Sequence, residues 1–195
     1  MKKLIIIISL FSLFMVDMFF IKNIFAMTPT YPNDAKFSRG VGNAYYYVGS
    51  SATGYTSKIN SAIDNWVDTG YGWNPIYLYP VSSNYATHID FYRQTFRGDE
   101  TVDENINAYA SFWDINENEL SYNLYDEPTT NYFYTEVRMN SAYDTEISTI
   151  IHEIGHCLGL SHSDSTYSIM YPIKNYRNAT RVSKDDHDTI NYLYD

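Results

Sequence analysis

The chain has 195 residues with 23 Asp and Glu against 13 Lys and Arg, a net charge of −10, so it has no cationic surplus to grip phosphates and nucleic acid is not expected as a partner. Its one cysteine, Cys157, rules out an intrachain disulfide, so the fold must rest on its core and on any ions it binds.

Residues 1–26 read as a secretory leader. Lys2 and Lys3 open it, Leu4 to Val16 is an almost unbroken apolar run, and Ala26 is a small residue at a plausible cleavage point. Asp17 interrupts the apolar stretch and Ile24 is bulky for its place, so an uncleaved membrane anchor is the alternative. The run is short for a span, and an acid near its end is costly in lipid. The expectation is a secreted, extracellular protein with no stable membrane association after cleavage. The remainder, 27–195, is long enough for one domain and too short for two ordinary ones. It keeps 10 basic and 22 acidic side chains, net −12, and is expected to be a monomer.

Tyr45 to Val48 predicts a strand. Ser57 to Asp68 predicts a helix, with Ile59, Ala62, Ile63, Trp66 and Val67 at i, i+3, i+4, i+7 and i+8 and Gly70 just beyond. Ile76 to Tyr79 is a short apolar run, and Ile89 and Phe91 alternate with Asp90 and Tyr92; both predict strands. Gly98 to Asn107 predicts an acidic loop, Tyr109 to Trp113 a short strand, and Asp114 to Pro128 another loop. Phe133, Thr135, Val137 and Met139 alternate with Glu136 and Arg138 in a further strand. A second helix is predicted from about Asp144 to Leu158, with Ile147, Ile150, Ile151, Ile154 and Leu158 as its apolar stripe. After a loop from Gly159 to Arg181, a last helix begins at Ser183, with Asp185 and Asp186 in its favoured acidic first turn. This order predicts an α+β domain.

Residues 152–162 read His-Glu-Ile-Gly-His-Cys-Leu-Gly-Leu-Ser-His. His152 and His156 stand four apart, on one face of a helix and one turn apart, where two imidazoles can meet one Zn²⁺. Glu153 sits about 100° round the helix, beside the metal but not on it, as suits a base for water. His162 on a continuing helix would lie about 9 Å beyond His156 and about 240° away. The chain must therefore turn back, and Gly159 is the residue that allows it. Three histidines leave a fourth position open, the mark of a catalytic zinc site.

With this motif the sequence resembles the metzincin metalloproteases, whose histidine motif is followed by a methionine-bearing turn beneath the zinc. Ser168-Ile169-Met170-Tyr171-Pro172 is similar to that turn. Ser163 directly after the third histidine and the Met-Tyr-Pro run are matrixin-like, the group of the matrix metalloproteases and their bacterial relatives. Pro172 stands where other branches carry a ligating tyrosine, so none is implied. The resemblance implies a twisted five-stranded mixed sheet with three helices. It also implies one catalytic zinc on His152, His156 and His162, Glu153 as general base, Met170 as the turn under the metal, and a protein or peptide substrate. The substrate would pair with the edge strand containing Tyr109 and Ala110, against a far wall of Tyr171 and Pro172. Ser148, one turn before His152, would line the main specificity pocket, and a small residue there argues for an apolar substrate residue just after the cut.

Some features depart from that family. No blocking propeptide cysteine is seen, which predicts activity once folded, and Cys157 points about 100° away from His156. His88 and Asp90 make half of a structural zinc site, but His187 is the only other histidine left, so one zinc is expected. The Asp114, Asn116, Asn118 series starts like an EF-hand, but Glu119 replaces its glycine and Tyr125 its closing Glu. The acidic groups Asp99, Glu100, Asp103, Glu104, Asp126 and Glu127 could hold structural Ca²⁺ in another geometry; a solvated acidic loop is the alternative. The rival to an endopeptidase is a secreted zinc binder without catalysis, for which Glu153 would be unnecessary.

Overall fold

The computed structural model describes residues 27–97, 103–120 and 127–195. The leader and the acidic-loop positions Asp99, Glu100, Tyr125 and Asp126 lie outside these residues. Five strands form one sheet: β1 (Ala44–Val48), β2 (Leu78–Val81), β3 (Ile89–Gln94), β4 (Ala108–Trp113) and β5 (Tyr134–Asn140). Their order across the sheet is β2-β1-β3-β5-β4, parallel throughout except for the antiparallel β4–β5 pair. Three α-helices, α1 (Thr56–Val67), α2 (Ile147–Cys157) and α3 (Lys184–Tyr194), complete the α+β domain expected above. Among the described residues no helix is long and apolar enough to cross a membrane.

The helix periodicity is realised as burial. Ile59, Ala62, Ile63 and Trp66 put one face of α1 into the core, and Trp66 reaches across to donate from Nε1 to the Ile151 carbonyl of α2 at 2.9 Å. On β5, Thr135, Val137 and Met139 are buried, whereas Glu136 and Arg138 lie on the opposite face and pair with each other at 2.5 Å. Ile150, Ile151, Ile154 and Leu158 join Ile89, Phe91, Val137 and Met139 in the core. Burying this much apolar surface is the main stabilising term for a fold without disulfides. Cys157 is fully buried, and burial pushes its thiol far up, so it is an inert core residue.

Two boundaries shift for local reasons. The strand expected at Ile76–Tyr79 runs from Leu78 to Val81. The Ile76 amide is taken by the Asn74 side chain, whose Nδ2 is tied in turn to the Trp66 carbonyl, so the ladder starts two residues later. Pro80 is tolerated because β2 is an edge strand. Helix α2 starts at Ile147 rather than Asp144. Asp144 instead accepts from Lys58 at 2.6 Å and Tyr55 at 3.0 Å, tying down the start of α1.

Candidate metal centre

Helix α2 carries His152 and His156 toward β4, and its end decides where His162 goes. Gly159 has φ +101°, the Leu160 amide donates to the Gly155 carbonyl at 3.1 Å, and the Gly159 amide donates to the His156 carbonyl at 3.0 Å. This is a Schellman cap with the glycine in the left-handed position. The reversed chain brings His162 back, with its Nε2 3.2 Å from Nε2 of His156, which is itself 3.2 Å from Nε2 of His152. Among the described residues these three form the one cluster of metal-ligating side chains.

The protonation of the rings follows from their other nitrogens. His152 Nδ1 donates to the Ile169 carbonyl at 2.8 Å and His156 Nδ1 to the Leu160 carbonyl at 2.9 Å. The Tyr31 hydroxyl lies 3.1 Å from the latter nitrogen. A donor at Nδ1 leaves a lone pair at Nε2. The Nε2 atoms of His152 and His156, 3.2 Å apart, are therefore facing acceptors that do not satisfy each other. Imidazole nitrogens sharing one tetrahedral ion at about 2.0–2.1 Å would be about 3.3 Å apart, so the donor set fits zinc. Burial holds all three imidazoles below the usual histidine range, helped by neighbouring rings at His152 and His156 and by Arg177 at all three, with His156 down to about 3, which keeps them neutral and ready to ligate.

Gly155, between the two helical histidines, allows a close approach from below. A Cβ there would overlap Met170 Sδ and come within 2.9 Å of Trp66. Met170 is fully buried in that space, and its carbonyl accepts from the Ser163 amide at 3.0 Å. The turn is held by Asp186 at the start of α3. Its carboxylate accepts from Ile169 N at 3.0 Å, Ser168 Oγ at 2.5 Å and Thr28 Oγ1 at 2.6 Å, besides closing a capping box with Ser183. A chain of contacts thus runs from Asp186 through Ile169 to the His152 ring.

Glu153 is buried beside the triad in a cleft of about 390 Å³. Burial pushes its carboxyl up to about 8, against the pull of Arg177. The cleft is walled by α2 on one side and by Ala108, Tyr109, Ala110 and Phe112 of the edge strand β4 on the other. Pro172 lines it, whereas Tyr171 is a half-buried member of the Met170 turn and is not part of the wall. At the pocket position of α2 the structure puts Thr149 rather than Ser148, whose carbonyl accepts from Arg177. Positions three and four before His152 both lie near the ligand-bearing face of a helix. The rotation of α2 against the sheet aims the nearer one, Thr149, into the cleft.

Tyr31, Glu127, Asp186 and Arg177 also build or support the site and were not singled out for it in the sequence. Only Asp186 carried a signal, as an acid in a helix's first turn; the others reach the cleft from loops distant in sequence. Asp103 and Glu127 are engaged in hydrogen bonds, with Asn105 and with Ser161. Asp114 binds the amides of Asn116 and Asn118, closing its own turn. His88 accepts from the Tyr45 amide at 3.2 Å, and His187 lies 2.8 Å from Thr69 Oγ1.

Comparison with known proteins agrees with this geometry. Residues 49–195 match the family model described as Matrixin. The chain is 29% identical over 143 residues to a matrix-metalloproteinase-like protein of Spodoptera frugiperda ascovirus 1a, covering 69% of this chain and 36% of that protein. It is 44% identical over 61 residues to Metalloendoproteinase 1 of Glycine max, covering 31% and 20%. It is 50% identical over 46 residues to the macrophage metalloelastase of Rattus norvegicus, covering 23% and 10%. The chain thus matches little more than a third of the length of the viral relative and less of the others.

Proposed function

Because the chain belongs to the matrixin family of zinc metalloendopeptidases, we propose that it is a secreted endopeptidase that hydrolyses peptide bonds in extracellular proteins. The observation that carries this reading is the convergence of three imidazoles, from the buried His152 to the exposed His162, beside a buried carboxyl in a cleft bounded by a sheet edge. His152, His156 and His162 would hold one Zn²⁺. The chemistry the ion supplies when bound is polarisation of a carbonyl and acidification of water.

The protein's own residues do the rest. Glu153 takes the proton of the attacking water and passes one to the leaving amine. Its high affinity for a proton in this buried place suits the second task, and a nearby dication favours the ionised form needed for the first. Strand β4 accepts an extended peptide by strand addition, with main-chain bonds giving affinity and pockets giving choice. The substrate residue that follows the scissile bond enters the Thr149 end of the cleft. Secretion rests on the leader read in residues 1–26.

Glu153→Ala removes the base and no ligand. Bound zinc should stay near one per chain while peptide cleavage falls by at least about 10²-fold. His156→Ala should lose zinc and activity together. A Glu153→Ala protein with undiminished cleavage would falsify the mechanism. A native protein that binds zinc yet cleaves nothing in a broad peptide library would establish the non-catalytic alternative.

A further inference from the structure

The cleft is lined by charges of both signs: Glu127, Lys174 and Arg177 all contribute to it, together with Thr149 and Pro172. Lys174 is neutralised by Glu146 at 2.7 Å. Arg177 has no such partner. Its side chain donates twice, both times from Nη1, to the carbonyls of Ser148 at 3.1 Å and Ile169 at 2.9 Å. Among the described residues no carboxylate lies within 4 Å of its guanidinium. Glu153, Asp186 and Glu146 act on it electrostatically without forming an ion pair, and carbonyl dipoles orient a cation but do not neutralise it. Arg177 feels its partial burial and stays charged at any working pH.

We propose that Arg177 is a specificity determinant that receives the carboxylate of a Glu or Asp side chain on the substrate residue following the scissile bond. The inference rests on the endopeptidase reading above. The planar guanidinium, pinned by two carbonyls through one nitrogen, presents its remaining N–H groups for a charge-assisted bond to a carboxylate. An acidic chain of net −10 repels anionic ligands at long range, so a cation in the cleft wall provides local selection for an acidic side chain rather than general attraction. This reverses the apolar preference expected from Ser148, which gives only its carbonyl to Arg177. A purely supporting role is the competing account, because Arg177 braces Ile169, the carbonyl that orients His152, and its field acts on Glu153.

The test uses the zinc-loaded protein and peptides of one scaffold that differ only after the cut: Glu, Gln, Leu or Lys. Glu should exceed its isostere Gln by about 10-fold or more in kcat/KM, with Lys last. Arg177→Met should bring the Glu/Gln ratio close to one, and Arg177→Lys should keep part of it. Binding of the Glu and Gln peptides to the Glu153→Ala protein, followed by fluorescence anisotropy, gives the same comparison without turnover and with no reliance on how well an Arg177 variant folds. Equal treatment of Glu and Gln by the native protein overturns the inference and leaves the endopeptidase reading standing. Equal slowing of every peptide by Arg177→Met, with the ratio kept, assigns Arg177 to bracing and also overturns it. If no peptide is cleaved the endopeptidase reading fails, and the binding comparison decides the role of Arg177.

Discussion

Replacing Asp186 with Ala tests whether the Met170 turn is held from α3 and passes its position on to the metal ligands. The carboxylate is fully buried and takes hydrogen bonds from Thr28, Ser168, the Ile169 amide, and the Ser183 amide and hydroxyl. Loss of an N-terminal cap costs about 1 kcal/mol. A buried amide left without a partner costs about 1–3 kcal/mol, and hydrogen bonds to a charged acceptor are worth about 1.5–3 kcal/mol each but do not add. A total of about 3–5 kcal/mol is expected, a large part of the ~5–15 kcal/mol that holds a typical domain together. Urea unfolding of the metal-free protein reads this directly. The second consequence is on zinc. Ile169 donates its amide to Asp186 and offers its carbonyl to His152, so a loosened turn should weaken zinc binding by about 10- to 100-fold in competition with a chelator. Asp186→Asn, which keeps the shape and loses the charge, should fall between. A variant within about 1 kcal/mol of the native protein would refute the energetic argument. A destabilised variant with native zinc affinity would refute the relay to His152.

Gly155→Ala should destabilise the protein by about 1–3 kcal/mol in thermal or urea unfolding, despite alanine's better helix propensity, because its Cβ would overlap Met170 Sδ. Asp90 is buried, accepts from Thr87 at 2.6 Å, and burial raises its carboxyl to about 6. A folded pKa above the unfolded value means a contribution to stability that is complete below about pH 4 and is lost as pH rises through about 6. Stability should therefore fall by roughly 1–3 kcal/mol across that window in the native protein, and unfolding curves of Asp90→Asn should lack this component. An unchanged slope in the variant would show that Asp90 is not its source.

The clustering of the three histidines was legible in the sequence because their spacing encodes their geometry. Four residues on a helix put His152 and His156 on one face whatever surrounds them, and a glycine that can take φ +101° lets His162 return. The strand and helix periodicities were legible for the same reason, since each reports which side of a local element meets the core. The starts of β2 and α2 were not, because they depend on Asn74 capturing the Ile76 amide and on Asp144 reaching Lys58, partners brought together only by folding. The pocket was read least well. Which of two adjacent side chains, Ser148 or Thr149, faces the cleft depends on the rotation of α2 against the sheet, and the charge of its wall comes from Arg177, 29 residues further along the chain. Local periodicity determines the chemistry that one helix and one turn can hold. The lining of the cleft is a property of loops that meet only in the packed protein, and no local pattern records it.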